Sequence, residues 1–327
     1  MASRGWRHRD FFGHKTGGFS SMSQTVGVVV PCKDEIATIR LCLESLRAQT
    51  PKVVIVVMDN GSTDGSREIA KQLADQVVDL PGVPISTLRN AGAALLADVD
   101  VLAFVDADCE LASDWLRAGL AGLETADMVG SRTWAACGAG WVASRWAAIE
   151  QQRSHEQSLL WSQHLLVKRE TFQALGGFDE TMRTGEDADL SARLRRSGGR
   201  LSLRNDMVVT HHGFPTSISR FVRRELWHTN TSGWYGRMAP KSRTLIALTA
   251  AWLGVGAVAT AALLVRKDVA PLLVWSALTV PAVPVVGWRA GGSPRHSLQD
   301  GALMSIWSIV RAGRLGHELV VRTGQKS

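Results

Sequence analysis

The feature that most constrains this chain is a unit that occurs three times in its first third: a short apolar run, an acidic loop directly after it, and apolar residues at helical spacing beyond. Val26–Val30 leads into Pro31-Cys32-Lys33-Asp34-Glu35, then Ile36, Ile39, Leu43 and Leu46. Val53–Met58 leads into Asp59-Asn60-Gly61-Ser62-Thr63-Asp64, with Ile69, Leu73 and Val77 as the inner face of a second helix. Val101–Val105 ends in Asp106-Ala107-Asp108-Cys109-Glu110, ahead of a helix carrying Trp115, Leu116 and Leu120. Strands that are apolar at every position are those covered on both faces, and strand–helix alternation predicts an α/β domain with a mostly parallel sheet. Ligands of such sheets collect outside the carboxyl ends of the strands. Here those ends carry Asp34, Glu35, Asp59, Asp106 and Asp108.

Further along, periodicity predicts a short helix over Lys168–Leu175, closed by Gly176-Gly177, and another over Asp187–Arg196, stopped by Ser197-Gly198-Gly199. Met207–Thr210 reads as a strand that delivers His211 and His212, whereas the Trp- and Ala-rich Trp134–Trp161 stretch resolves into no definite elements. Trp134, Trp141, Trp146 and Trp161 are core residues before they are sugar-stacking ones. Residues 1–24 are a flexible basic arm without the apolar segment of a secretory signal. The four cysteines, Cys32, Cys42, Cys109 and Cys137, form no C-x-x-C pair and no zinc spacing, so reduced thiols are expected.

Composition places the chain among folded proteins: 327 residues, of which 20% are charged and 45% hydrophobic. The net charge of +7 is not interleaved with stacking aromatics, and no nucleic-acid motif accompanies it, so no nucleic-acid partner is expected. A phosphate-rich ligand or an anionic membrane accounts for the charge. Apolar residues concentrate in Thr244–Val265 and Val269–Trp288. The first would be about 33 Å long as a helix, enough to cross a ~30 Å hydrocarbon core. The second is similar in length, so two transmembrane helices, about 244–265 and 269–288, are expected to form a hairpin through Arg266-Lys267-Asp268. Six Lys/Arg against one Glu between Arg220 and Arg243 mark a cytoplasmic flank. The stripe Leu303, Ile306, Trp307 and Val310 suits a helix lying in the membrane interface. The expected organisation is therefore an arm (1–24), an α/β domain (25–240) and a membrane tail (241–327), the alternative for the tail being a helical subdomain buried in protein.

The sequence has three D-x-D pairs, and only Asp106/Asp108 stands just past a strand end. Two carboxylates there need a cation or donors to offset their repulsion; a hard divalent ion bridging to a diphosphate is one solution. No G-x-G-x-x-G follows the first strand and no G-x-x-x-x-G-K-[ST] is present, which excludes a nicotinamide dehydrogenase and a P-loop kinase.

Val28–Glu35, Asp59–Ser66, Arg89-Asn90-Ala91-Gly92, Asp106-Ala107-Asp108, Gly176–Glu180 and Gly185–Asp189 stand in the same order as the motifs of inverting family 2 glycosyltransferases with the GT-A fold, which the sequence resembles over residues 26–215. The resemblance implies a nucleotide-diphosphate sugar as donor and Mn2+ or Mg2+ as cofactor. It implies donor binding by Pro31, Lys33, Glu35, Asp59, Arg89, Asp106 and Asp108, and metal ligation by Asp108 with His211, the adjacent His212 being the other candidate. Asp187 corresponds to the family's catalytic base, with Glu186 and Asp189 on the acceptor side or capping the helix. Asn60 stands where the family commonly has a second Asp, and Arg220–Trp227 resembles only loosely the Arg/Trp motif of processive synthases, which favours single addition. The expected acceptor is a hydroxyl or phosphate on a membrane lipid or lipid-linked molecule, with the catalytic domain on the cytoplasmic side. A catalytically silent, membrane-tethered sugar-nucleotide binder is the competing reading.

Overall fold

The computed structural model describes residues 24–157, 160–229, 240–266, 270 and 296–324. The basic arm up to residue 23 and nearly all of the second apolar run lie outside the described residues. The described chain divides into two compact units.

The first unit comprises residues up to Arg132 together with 158–181 and 186–210. Its centre is built from β1 (Val26–Cys32), β2 (Val54–Asp59) and β4 (Val101–Val105), the three predicted strands. Their helices follow as α1 (Ile39–Arg47), α2 (Ser66–Leu73) and α4 (Trp115–Leu123). β1 pairs in parallel with β2 and with β4, and Cys32 stands opposite Asp59, so the loops after these strands open at one edge. The chain departs from expectation after α2: the helix ends at Leu73, and Val77 lies in a fourth parallel strand, β3 (Gln76–Asp79). α3 (Ile85–Leu95) then carries the Arg89-Asn90-Ala91-Gly92 motif.

Beyond β4 the sheet changes character. The strand order is β3-β2-β1-β4-β7-β6-β8-β5, with β5 at Cys109–Leu111, β6 at Met128–Ala135, β7 at His164–Lys168 and β8 at Leu201–His211. β7 runs antiparallel to both β4 and β6, so the sheet is mixed rather than mostly parallel. Only β3, β2, β1 and β4 follow the strand–helix pattern that forces parallel pairing; β6 and β7 are joined through a long helical excursion that the sequence pattern did not resolve. α6 (Arg169–Ala174) and α7 (Glu186–Arg196) match the two later predicted helices within a residue or two.

Both sheet faces are covered, as the unbroken apolar strands require. Val28 and Val30 of β1 pack with Ile39, Leu43 and Leu46 of α1 and with Leu116 of α4. Val29 faces the other way, into a cluster with Leu88 of α3, Phe172 of α6, and Leu190 and Leu194 of α7. The ring of Phe178 meets Phe104 of β4 edge-on at 5.0 Å, which seats the Gly176–Phe178 loop against the sheet. Gly92 is what lets α3 approach β1: a Cβ there would come 2.4 Å from Val29 Cγ1.

The second unit is helical where described: α5 (Gly140–Gln157), α8 (Ile218–His228), α9 (Pro240–Arg266) and α10 (Ser297–Gly324). Its core joins Trp146, Phe221, Ile246, Leu303, Met304 and Trp307. The stripe expected to lie in a membrane interface therefore packs into protein at Leu303 and Trp307. Ion pairs reinforce that packing: the fully buried Asp300 takes Arg145 at 2.7 Å, and Glu225 takes Arg311 at 2.6 Å. Of the tryptophans in the unresolved stretch, Trp146 is core, whereas Trp134 and Trp141 are exposed.

α9 behaves differently. Its Ser242–Ala261 segment is the one described helix long and apolar enough to cross a membrane, and only 17% of it is buried inside the protein. Leu248, Val255, Val258, Leu264 and Val265 are all exposed.

The close approach of α3 to β1 has a measurable consequence. Gly92→Ala should destabilise the protein by about 1–3 kcal/mol, the usual cost of forcing volume into a packed core. A thermal melt of the variant should fall by several degrees, and an unchanged melt would show that Val29 can move aside.

Candidate active site

The loops after β1 and β2 are sewn together by the polar residues of their own motifs. Asp34, at φ 54°, accepts from the Thr63 amide at 2.8 Å, and its own amide donates to Ser62 Oγ at 3.0 Å. The amides of Glu35 and Ile36 donate to Ser66 Oγ (2.7 Å) and Asp64 Oδ2 (2.9 Å). These residues are thus fixed in the architecture of the strand ends, while the residues between them face the open edge.

Asp59 ends β2 and is fully buried. Its Oδ2 accepts from Arg67 Nε (2.9 Å), Arg67 Nη2 (2.6 Å) and the Ser62 amide (3.1 Å). Burial opposes its ionisation, yet the hydrogen bonds from Ser62 and Arg67 outweigh it and hold the carboxyl below the usual carboxylate range. Its Oδ1 is buried with no hydrogen-bond partner among the described residues. An orphaned ionised oxygen is costly, and it is an acceptor that a ligand N–H could satisfy. Arg67, the residue that anchors Asp59, was not singled out in the sequence; its position directly after Gly65-Ser66 was the only signal.

A cleft of about 190 Å³ opens at the strand ends. Five of the expected donor-side residues line it, Pro31, Lys33, Glu35, Asp106 and Asp108, with Ile85 and Leu88 of α3 as apolar walls. The volume is below the ~300 Å³ of typical ligand pockets, so the cleft would enclose only part of a larger ligand. Cys32 also lines it, but burial first, and nearby Asp59 and Glu35, push its thiol up to about 12, which leaves it inert.

Arg89 is not in the cleft wall. Its guanidinium is buried, bridging Asp106 at 2.6 Å and Glu186 at 2.7 Å, and its charged end lies 5.6 Å from the Phe178 ring centre. The expected direct contact with the donor gives way to a structural one, because each of these inward carboxylates needs a cation. Glu186, expected toward the acceptor, is likewise buried in that bridge. Asp189 is engaged by Arg193 at 2.7 Å one turn along α7, and Arg193 also donates to the Leu175 carbonyl. The neighbouring Asn90 ties α3 to the Gly176–Phe178 loop in both directions, donating to the Phe178 carbonyl and accepting from its amide, each at 2.9 Å.

Asp187 follows Glu186 at the start of α7. Its carboxylate accepts from the amides of Ala188 (2.7 Å) and Ser162. Burial of the carboxyl, and then the adjacent Glu186 charge, outweigh the pull of Arg89 and these amides, and raise the group to about 7. That value suits a general base near neutral pH. Arg89 thus links the Asp106 side of the cleft to the segment that carries Asp187.

Asp106 and Asp108 give the cleft hard oxygen donors of the type that magnesium and manganese take. His211 is the last residue of β8; it is buried, with Phe214 edge-on at 4.6 Å, and His212 beside it is half-buried.

A mixed α/β sheet with acids gathered where its parallel strands end defines a GT-A-like domain. Residues 27–173 match the family model of Glycosyl transferase family 2. The succinoglycan biosynthesis protein ExoA of Rhizobium meliloti is 31% identical over 211 residues, 57% of this chain and 62% of the relative. Glycosyltransferase AglE of Haloferax volcanii is 25% identical over 205 residues, 58% of this chain and 67% of the relative. The chain thus spans about three fifths to two thirds of these relatives' lengths. Among solved structures, a mannosyltransferase from Pyrobaculum calidifontis, in complex with GDP-Man and Mn2+, superposes with a TM-score of 0.57 at 20% identity, covering 87% of each chain, and shares the fold.

Two outcomes follow from the buried charges. Arg89→Met leaves Asp106 and Glu186 without their cation and should cost about 3–5 kcal/mol in denaturant titrations; a loss below 1 kcal/mol would mean that water replaces the bridge. For Asp187 the folded value lies above the unfolded one (~3.9), so the native state holds the extra proton between them, and its stability falls as pH rises toward about 7. Asp187→Asn should therefore melt higher than wild type at pH 8, an advantage that shrinks on acidification to pH 5. Equal differences at both values would remove the titration.

Proposed function

We propose that this chain is an inverting glycosyltransferase that moves a single sugar from a nucleotide-diphosphate donor to a hydroxyl or phosphate of a lipid-linked or membrane-surface acceptor. The observation that carries the reading is the link from the acid-lined cleft, through Arg89, to a carboxylate whose proton affinity is near neutral. The names of the relatives add weight: one belongs to succinoglycan biosynthesis, and the structural neighbour was solved with GDP-Man and Mn2+.

In this reading Pro31, Lys33 and Glu35 line the nucleoside end, and Asp59 Oδ1 accepts from the base imide. Asp106 holds the ribose, oriented by Arg89. Asp108 would hold Mn2+ or Mg2+, with His211 as the nitrogen ligand. The bound ion would supply positive charge against the departing diphosphate. Asp187 takes the proton of the acceptor O–H as its oxygen bonds to the anomeric carbon. The bond from that carbon to the phosphate oxygen breaks on the opposite face, and its electron pair leaves with the nucleoside diphosphate. Glu186 has no direct part; it fixes Arg89 and raises the basicity of its neighbour.

The acceptor reading draws on α9, whose Ser242–Ala261 segment would anchor the protein. The basic residues before it would keep the catalytic domain on the cytoplasmic side.

Release of nucleoside diphosphate from a donor panel, with and without Mn2+, tests the activity. Asp187→Asn should lower kcat by about 10²–10⁴-fold with little change in donor KM, and the wild-type acid limb near pH 7 should disappear. Full turnover in the variant would refute the base assignment, and no turnover of any donor by wild type would favour the silent sugar-nucleotide binder. Radiolabelled donor fed to membranes should label the lipid extract; label confined to water-soluble products would overturn the lipid acceptor.

A further inference from the structure

We propose that the outward face of α8 is a contact surface for anionic lipid, in which Arg220 and Arg223 meet acidic headgroups while Leu226 and Trp227 enter the interfacial layer. This deepens the membrane reading given above by naming a second contact, separate from α9, and the lipid charge it selects.

Helical spacing splits α8 into two faces. Phe221 and Glu225, four residues apart, point inward. Phe221 meets Trp146 edge-on at 4.6 Å, and the buried Glu225 is held by Arg311. The opposite arc carries Ser219, Arg220, Arg223, Leu226 and Trp227, all exposed. Glu225 is the one carboxylate of the helix and is turned away and neutralised, so the outward arc holds two cations and no acid. Arg220 and Arg223 make no ion pair among the described residues. Trp227 is 54% exposed and Leu226 49%, side chains that water does not favour.

Arginines beside an exposed tryptophan fit the boundary between headgroups and acyl chains, where guanidinium reaches phosphate and indole sits at the polar–apolar junction. An acidic protein partner would pair with the arginines, but the apolar α9, separated from α8 by only eleven residues, favours the lipid surface. Basic residues near such a surface each strengthen binding several-fold, and salt weakens the effect.

The full chain is tested with Cys137→Ser, which removes the one exposed cysteine, and Ser219→Cys carrying a polarity-sensitive fluorophore. It is reconstituted with phosphatidylcholine vesicles, with or without phosphatidylglycerol. The label should be shielded from aqueous iodide several-fold better when phosphatidylglycerol is present, and Arg220→Gln/Arg223→Gln should abolish that difference. Equal accessibility in both lipids, or shielding that grows with protein concentration without vesicles, would overturn the proposal. Carbonate extraction is read separately: a chain released by carbonate contradicts a spanning α9, while lipid-dependent shielding before the wash still decides the role of α8.

Discussion

The buried Arg89 guanidinium, fixed at 2.6 Å from Asp106 and 2.7 Å from Glu186, joins three distant parts of the chain: helix α3, the loop after β4 and the start of α7. A cation enclosed in this way has no water to fall back on, so its two carboxylates must stay in place. Helix α3 can deliver it because Gly92, three residues on, allows the helix to lie against β1. The apolar packing of the sheet and the electrostatics of its edge therefore depend on the same helix. Asp187 inherits its environment from this bridge, for it sits beside the Glu186 that the bridge has drawn inward.

Strands β1, β2 and β4 of the parallel half were legible in the sequence because each is apolar nearly throughout and is followed by an acidic loop and a periodic helix. Legibility ended where that pattern ended. Val77 kept the spacing of α2 but lies in β3, since a short strand and the last turn of a helix present the same apolar residue. β6 and β7 escaped notice because their antiparallel partners lie far off in sequence. The acids at the strand ends were readable as a set, and the five that line the cleft lie where the motif order put them. Arg89, Glu186 and Asp189 were harder, because a charged side chain reads the same whether it faces a ligand or another buried charge. Asp59 and Arg67 show the reverse case: the acid was visible in its motif, its partner was not.

The helical unit raises a related point about amphipathic stripes. Leu303 and Trp307 have the spacing of an interfacial helix, yet they are closed off by Trp146 and Phe221 and flanked by the Asp300–Arg145 and Glu225–Arg311 pairs. Periodicity identifies the apolar face of a helix without saying whether protein or lipid will cover it. In this unit α10 has a covered face and α9 an open one.

The two-way clasp between Asn90 and the Phe178 backbone makes the Gly176–Phe178 segment and α3 a single heritable module. Gly177, at φ +71° and with Asn90 Oδ1 only 2.7 Å from where a Cβ would sit, admits no ordinary replacement while that clasp stands. Chimeras that exchange this loop between relatives must transplant residue 90 along with it, and a homologue that lacks one half should lack the other.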